Sequence, residues 1–370
     1  MKTKKEHFSE PLHLESGRIL SEFDLVYETY GRLNADHSNV VVVCHALTGS
    51  HHAAGLYEGD AKPGWWDGLI GDGKGIDTSK FFVICVNILG SSFGSTNPHS
   101  IEPSTGEEYR LRFPVLAISD VVKAQMKLFS RLGIERAHAV VGGSLGGMQA
   151  ICFAIEYPEF AHNVIIMAST YATQPWAIAF NKIAVEGIRR DPAFKGGYYD
   201  RADIEKDGLV GMALGRMAGH ISFLSPYSME RKFSRNYVQT DGLYELFGRY
   251  EVERYLEYNG YNFPRRFDPL SYLYIVKMMN NFDVTRHYET LTGAFALTNP
   301  AANIHLVAFS GDVLFPPALM REIYDALIKL GREKTAHYIC IDSDYGHDAF
   351  LVEIPKIEAY VRDALNSNLN

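Results

Sequence analysis

Short apolar segments rich in β-branched residues recur along this 370-residue chain, and segments with helical spacing lie between some of them. Residues 119–132, for example, have the apolar spacing of a helix, and Gly133 stands where that helix would end. Apolar runs of strand length that alternate with helices are typical of a mostly parallel sheet. We therefore predict an α/β fold whose buried strands occupy residues 40–44, 81–86, 137–141, 163–167, 304–309 and 337–341.

The alternation stops between about residues 170 and 300. Aromatic stretches with helical character replace the strands there, over residues 176–188, 209–224, 244–258 and 270–279. The chain is also longer than the roughly 250 to 300 residues at which a single core usually stops growing. We therefore predict one α/β domain formed by residues 1–169 and 301–370, with residues 170–300 inserted as a helical lid.

Composition and charge exclude several classes of protein. The chain is 46% hydrophobic and 22% charged, which excludes a disordered or low-complexity protein, and its net charge of −8 provides no overall basic field for nucleic acid or anionic lipid. We expect no signal peptide, because Pro11, His13 and Glu15 stand where its apolar stretch would follow the charged residues 1–8, and no apolar run approaches the roughly 18 residues that span a bilayer. The four cysteines form no CxxC pair and lie in apolar stretches, so we expect buried, reduced thiols in a cytoplasmic protein.

A glycine-flanked serine provides the first chemical signal. Gly142-Gly-Ser-Leu-Gly146 is a G-x-S-x-G segment between an apolar strand and a helical pattern, which predicts a sharp turn that exposes the hydroxyl of Ser144 at a helix N-terminus. Glycine is needed two residues before and two after the serine because side chains there would collide with neighbouring backbone. The alternative is a glycine-rich turn that closes a βα unit and carries no chemistry.

A nucleophilic serine needs a base, and the base needs a carboxylate that orients it. Asp312 follows the strand at 304–309, and His347 follows the strand at 337–341, so both belong to the carboxyl edge of the sheet, as Ser144 does. The order Ser, Asp, His is that of the α/β-hydrolases. We predict Ser144, Asp312 and His347 as a catalytic triad, although Asp342 and Asp344 are rival acids on the histidine loop itself.

Two backbone amides are expected to bind the oxyanion in such a site. One is the amide of Leu145, directly after the nucleophile, and the other belongs to the loop after an early strand, here residues 44–49. We choose Leu47 for the second amide, with Ala46 and Thr48 as alternatives. The neighbouring histidines complete no metal-binding motif with a carboxylate, so we predict no metal and no resident cofactor: His45, His51 and His52.

Longer strings around these residues are far more specific than G-x-S-x-G. They are Cys44-His-Ala-Leu-Thr-Gly-Ser50, Asn87-Ile-Leu-Gly-Ser-Ser-Phe-Gly-Ser-Thr-Asn-Pro98, Phe113-Pro114 with Ile118-Ser-Asp120, Gly142-Gly-Ser-Leu-Gly-Gly-Met-Gln149, Gly215-Arg-Met-Ala-Gly-His-Ile221 and Gly346-His-Asp348. With these strings in this order, the chain resembles the homoserine O-acetyltransferase family over nearly its whole length. The resemblance implies an α/β-hydrolase fold, a homodimer formed through the lid, and a two-step transfer of an acyl group from acetyl-CoA to Ser144 and then to L-homoserine, in methionine biosynthesis.

The resemblance also implies two substrate-binding residues, because homoserine is a zwitterion. Arg216 matches the position that binds the carboxylate, for which a guanidinium is well shaped, and Asp348 matches the position near the ammonium. From the residues alone, a solvated or snorkelling helix residue is the favoured interpretation of Arg216, and Asp348 could cap the helix that follows it, a role compatible with binding the ammonium.

Several places depart from the family pattern and leave alternatives open: the strings Phe267-Asp-Pro-Leu270 and Ser91-Ser-Phe-Gly94 differ from the commoner forms, and so does Phe223. Phe223 stands seven residues after Arg216, where the family has tyrosine, so a hydroxyl that could contact substrate is absent. Succinyl-CoA as donor and L-serine as acceptor therefore remain open. An esterase that uses water as acceptor and a catalytically silent binding protein of the same fold are the two further alternatives.

Overall fold

The computed structural model describes residues 3–59 and 62–367, and an eight-stranded sheet forms its centre. The strands in chain order are β1 Lys4–Phe8, β2 Phe23–Tyr30, β3 Val40–Cys44, β4 Phe82–Val86, β5 Ala137–Gly143, β6 Ala161–Met167, β7 Asn303–Phe309 and β8 Ala336–Ile341. Their order across the sheet is β1-β2-β4-β3-β5-β6-β7-β8. The strands from β3 to β8 are parallel, whereas β2 pairs antiparallel with both β1 and β4.

The six strands predicted from apolar runs are all confirmed, and β1 and β2 were not predicted. In β1 only Phe8 is buried, so this edge strand has no apolar run. In β2 the apolar residues are interrupted by Asp24 and by Glu28, which is fully buried. A strand that contains a charged residue gives no continuous apolar run, so a hydrophobicity pattern does not identify it. Only the tertiary contacts of Glu28 explain how a buried carboxylate is accommodated there.

Helices cover both faces of the sheet. Alternate residues of β3 belong to two separate apolar clusters, because successive side chains of a strand point to opposite faces. Helices α1 Ile118–Arg131, α2 Leu145–Glu156 and α10 Pro317–Lys329 pack on one face, and α12 Ile354–Asn366 packs on the other. The carboxyl ends of the parallel strands β3 to β8 therefore lie at one edge of the sheet, between the two layers of helices.

Seven helices lie between β6 and β7, where the lid is predicted. They are α3 Pro175–Arg190, α4 Arg201–Asp207, α5 Val210–Phe223, α6 Pro226–Phe233, α7 Glu251–Asn262, α8 Pro269–Asn280 and α9 Leu291–Phe295. The helix expected from residue 244 begins only at Glu251, because the side chain of Glu253 accepts from the amide of Tyr250 and caps the helix there. The sequence prediction was wrong for residues 244–250, in which Tyr244, Leu246 and Phe247 are exposed.

The fold bears on two expectations, one about membrane-spanning segments and one about the thiols. Within residues 3–59 and 62–367, no helix has the length and apolarity needed to cross a bilayer. All four cysteines are free, and three of them are buried. The prediction of a buried thiol was wrong for Cys340, which is exposed because β8 lies at the edge of the sheet.

Candidate active site

Ser144 occupies the sharp turn between β5 and α2. Its backbone has φ 57° and ψ −123°, a conformation that L-residues rarely adopt and that marks a strained turn. The flanking glycines leave no room for side chains: a Cβ on Gly142 would lie 2.2 Å from the carbonyl oxygen of Gly146, and one on Gly146 would lie 2.1 Å from that of Cys44. The predicted strand–turn–helix around the serine is therefore present.

The three residues of the predicted triad meet at the carboxyl edge of the sheet. The Nε2 atom of His347 lies 2.8 Å from the Oγ atom of Ser144, and its Nδ1 atom lies 2.8 Å from the Oδ2 atom of Asp312. The other carboxylate oxygen of Asp312 accepts hydrogen bonds of 2.9 Å from the amides of Leu314 and Phe315. These bonds hold the carboxylate in the orientation that receives the imidazole N–H.

His347 is buried, and its protonation depends on its acidic neighbours. Burial disfavours the imidazolium, but the charge of Asp312 and its hydrogen bond, with a smaller contribution from Asp348, outweigh that effect and raise the pKa of His347 above its ordinary value. A base of raised pKa accepts a proton from a hydroxyl more readily, and the arrangement suits general acid–base chemistry. The rival acids face elsewhere: Asp342 accepts from Ser310, and Asp344 pairs with Arg231.

Both predicted oxyanion amides lie near the serine. Leu145 is the first residue of α2, and Leu47 lines the same cleft as Ser144. Within the described ranges, neither amide donates to another protein group. The two amides are available to a developing negative charge, as an oxyanion hole requires.

Two residues that the sequence analysis did not single out for this purpose hold the loop that carries Leu47. His45 is fully buried, with Nδ1 at 2.8 Å from the carbonyl oxygen of Ala46, and its Nε2 atom accepts from the amide of Ile88 at 3.1 Å. Burial lowers the pKa of His45 to about 4, so the ring is neutral at physiological pH. Gln149 of α2 donates to the carbonyl oxygen of His45 at 3.1 Å and so ties the loop to the nucleophile helix.

His51 and His52 contact a buried carboxylate rather than one another. The Nδ1 atom of His52 lies 3.0 Å from one oxygen of Glu28, and the Nε2 atom of His51 lies 3.6 Å from the other. The described part of the chain contains no cluster of three or more histidine, cysteine or acidic side chains arranged for a metal ion. These histidines anchor the segment after the oxyanion loop to β2.

The serine opens into a cleft of about 840 Å³, part of it open to solvent, between the sheet edge and the inserted helices. Arg216 of α5 lines this cleft, and its guanidinium carbon lies 5.3 Å from the ring centre of Phe223 and 4.6 Å from that of Phe263. Among the described residues, no carboxylate comes within 4.0 Å of this guanidinium, and its buried Nε atom has no hydrogen-bond partner. Arg216 is therefore not a solvated surface residue, and its charge is available to a ligand in the cleft.

Asp348 lies directly after His347 and also lines the cleft. It stands at the N-terminus of the short helix α11, Ala349–Val352, but its side chain accepts no capping hydrogen bond, so the alternative role as a helix cap was wrong. Burial raises the pKa of Asp348, against the opposing effects of His347 and Arg216. A cationic group bound beside it would favour the ionised carboxylate.

Known proteins resemble this chain over nearly its whole length. The sequence profile of the α/β hydrolase fold matches residues 39–354. Homoserine O-acetyltransferase from Sulfurimonas autotrophica is 61% identical over 99% of both chains, and that from Nautilia profundicola is 53% identical over the full length of both. The chain belongs to the homoserine O-acetyltransferase family.

Solved structures agree with the family in fold. The homoserine O-acetyltransferase from Bacillus anthracis is 32% identical and superposes with a TM-score of 0.90, covering 99% of this chain and 98% of that one. The structure of esterase E22 is 27% identical with a TM-score of 0.86, covering 98% of this chain and all of the other. An esterase thus shares the fold of the homoserine O-acetyltransferase family, and the overall shape does not distinguish the two reactions.

Proposed function

We infer that this chain is an acyltransferase that moves an acetyl group from acetyl-CoA to the side-chain hydroxyl of L-homoserine. The observation that carries this inference is the unpaired guanidinium of Arg216 in the same cleft as the Ser144–His347 pair. A partly buried guanidinium with no carboxylate in contact is costly, and an acceptor that brings its own carboxylate relieves that cost. The likeness to relatives with this activity supports the same acceptor.

The first half-reaction acylates the serine. His347 takes the proton from the Ser144 hydroxyl as its oxygen attacks the thioester carbonyl, and the amides of Leu145 and Leu47 bind the oxyanion. The C–S bond then breaks, and the proton held by His347 goes to the departing sulfur, which releases CoA as the thiol. Asp312 keeps the imidazole in the required tautomer and stabilises its protonated form.

The second half-reaction transfers the acetyl group. The homoserine carboxylate pairs with Arg216 and its ammonium with Asp348, which directs the hydroxyl toward the acetyl-serine. His347 removes the hydroxyl proton as the oxygen attacks, and it returns that proton to Ser144 when the serine ester bond breaks. Each step uses side chains and amides of this chain, so the proposal requires acetyl-CoA as a co-substrate and no metal or resident cofactor.

Water is the competing acceptor, and hydrolysis of simple esters is the second candidate function, favoured by the likeness to esterase E22. The helices α3, α5 and α8 contribute residues to the cleft wall and limit the access of water to the serine. An esterase of simple esters has no use for a guanidinium that lines the cleft of its nucleophile with no carboxylate in contact. Arg216 therefore favours the transferase.

We also propose a cytoplasmic homodimer that binds neither nucleic acid nor membrane. Exposed Val210, Leu214 and Ile221 lie four and seven residues apart on one face of α5, and this apolar stripe supports a contact between two copies. Sedimentation should give twice the 41.5 kDa of one chain, and Leu214→Lys should shift the protein toward the monomer. A wild-type protein that sediments as a monomer would contradict the dimer.

The test of this function measures thiol release from acetyl-CoA and from succinyl-CoA. Each donor is assayed without an acceptor, with L-homoserine and with L-serine. We expect release to require homoserine and to be fastest with acetyl-CoA. Faster release with succinyl-CoA or L-serine would assign the chain to one of those reactions instead. Release at the same rate without any acceptor would identify water as the natural nucleophile.

A further inference from the structure

Tyr272 of α8 lies in the wall of the catalytic cleft and was not singled out by the sequence analysis, because a tyrosine in an apolar helix is usually a core residue. The residue is 6% exposed and lines the cleft, and within the described ranges its hydroxyl makes no hydrogen bond to the protein. The buried hydroxyls of Tyr30 and Tyr199, by contrast, donate to Glu28 at 2.8 Å and to Asp268 at 2.6 Å. A hydroxyl that lines a cleft and makes no hydrogen bond to the protein is free to bind a ligand there.

The surroundings of Arg216 show what that hydroxyl could bind. Phe223 and Phe263 stack against the guanidinium and carry no polar atom, and the hydroxyl of Tyr255 already contacts His220 at 3.4 Å. Tyr272 interacts electrostatically with Arg216 and is the neighbouring ring whose hydroxyl remains available. Burial raises the pKa of Tyr272, an effect that Arg216 opposes, so at neutral pH the phenol is protonated and can donate.

We propose that the Tyr272 hydroxyl donates a hydrogen bond to the carboxylate of the amino-acid acceptor, beside the guanidinium of Arg216. This inference rests on the proposed function. A carboxylate has more acceptor positions than one guanidinium edge occupies, so a phenol can bind the same group at the same time. The pair of donors selects acceptors that carry a carboxylate over simple alcohols and water, and Tyr272 is a specificity-determining residue.

The test compares two acceptors that differ only in the carboxylate: L-homoserine and 3-amino-1-propanol. Tyr272→Phe removes one hydroxyl and leaves the ring in place. We expect kcat/KM for homoserine to fall about 10- to 100-fold, the usual effect of losing a hydrogen bond to a charged group. The value for 3-amino-1-propanol should change by less than about threefold, because that acceptor has no group for Tyr272 to bind.

Tyr274→Phe is the matched control. Tyr274 is on the same helix, and its hydroxyl donates to the carbonyl oxygen of Arg110 at 3.3 Å, outside the cleft lining. Equal losses with both acceptors would show that Tyr272 acts on the structure of the site, and no loss with homoserine would show that it makes no substrate contact. Either result overturns the inference.

A binding measurement keeps the inference testable if 3-amino-1-propanol reacts too slowly. Calorimetric titration of homoserine into Ser144→Ala and into Ser144→Ala/Tyr272→Phe should show binding about 10-fold weaker or more in the double variant. Unchanged affinity would overturn the inference. The proposed function fails separately, if the wild-type protein itself shows no homoserine-dependent thiol release.

Discussion

Gly146 packs directly against the backbone of Cys44: a Cβ built on Gly146 would lie 2.1 Å from the Cys44 carbonyl oxygen. Gly146 is in the first turn of α2, next to Ser144 and Leu145, and Cys44 ends β3, three residues before Leu47. The contact therefore joins the turn that carries the nucleophile to the loop that carries the second oxyanion amide. Close backbone packing sets the separation of the two amides.

Gly146→Ala should destabilise the protein and disrupt the site, because the added methyl group would collide with backbone that cannot move away. We expect the free energy of unfolding to fall by about 1–3 kcal/mol or more, and the activity of the molecules that remain folded to fall as well. Gly68→Ala is the control, since its Cβ would meet only side-chain atoms of Ile354, the nearest at 3.3 Å. If Gly146→Ala unfolded at the same temperature as the wild-type protein, the close contact between Gly146 and the Cys44 backbone would be contradicted.

Ser144→Ala should abolish acyl transfer and leave the fold intact, because it removes only a hydroxyl. We expect thiol release from acetyl-CoA to fall on the order of 10⁴-fold or more. Mass spectrometry of the intact protein should detect an acetylated wild-type enzyme and no acetylated variant. Thiol release at the wild-type rate would remove Ser144 from the mechanism.

Asp312→Asn should change the pH profile as well as the rate. The imidazole must be neutral to act as a base, so kcat/KM rises with pH through the pKa of His347, which Asp312 holds above its ordinary value. Without that carboxylate the pKa falls, and the acidic limb of the profile should move to lower pH while kcat drops roughly 10³- to 10⁴-fold. Asp342→Asn should retain the wild-type profile, and a shift in that variant instead would favour the rival acid.

Arg216→Gln should raise KM for homoserine at least about 10-fold, because the carboxylate loses its counter-charge. The loss should be larger in the transfer to homoserine than in the acylation of Ser144, which rapid-mixing kinetics separates. Arg266→Gln is the matched control: this guanidinium carbon also lies near Phe263, at 5.7 Å, but Arg266 does not line the cleft. Similar effects of the two variants would show that Arg216 acts through general charge rather than by binding the carboxylate.

Much of the fold and of the candidate triad could be predicted because the signals are local. Buried parallel strands appear as short apolar runs, and the turn at Ser144 requires glycine at positions that a sequence displays directly. The strand β2 was missed because Glu28 interrupts it, and the partners that accommodate this carboxylate, Tyr30 and His52, are identified only by the folded structure. The availability of the Tyr272 hydroxyl likewise depends on neighbours from other helices.

The sequence by itself therefore determined the parallel centre of the sheet, the nucleophile turn and the order of Ser144, Asp312 and His347, because each follows from residue types at short spacing. Tertiary structure alone decided that the Oγ atom of Ser144 lies 2.8 Å from the Nε2 atom of His347, although the two residues are 203 positions apart in the chain. It also decided that, among the described residues, no carboxylate lies within 4.0 Å of the Arg216 guanidinium and that its Nε atom has no hydrogen-bond partner. Whether Ser144 contacts His347, and whether a carboxylate reaches Arg216, depends on how segments far apart in the chain pack together. No local sequence pattern contains that information.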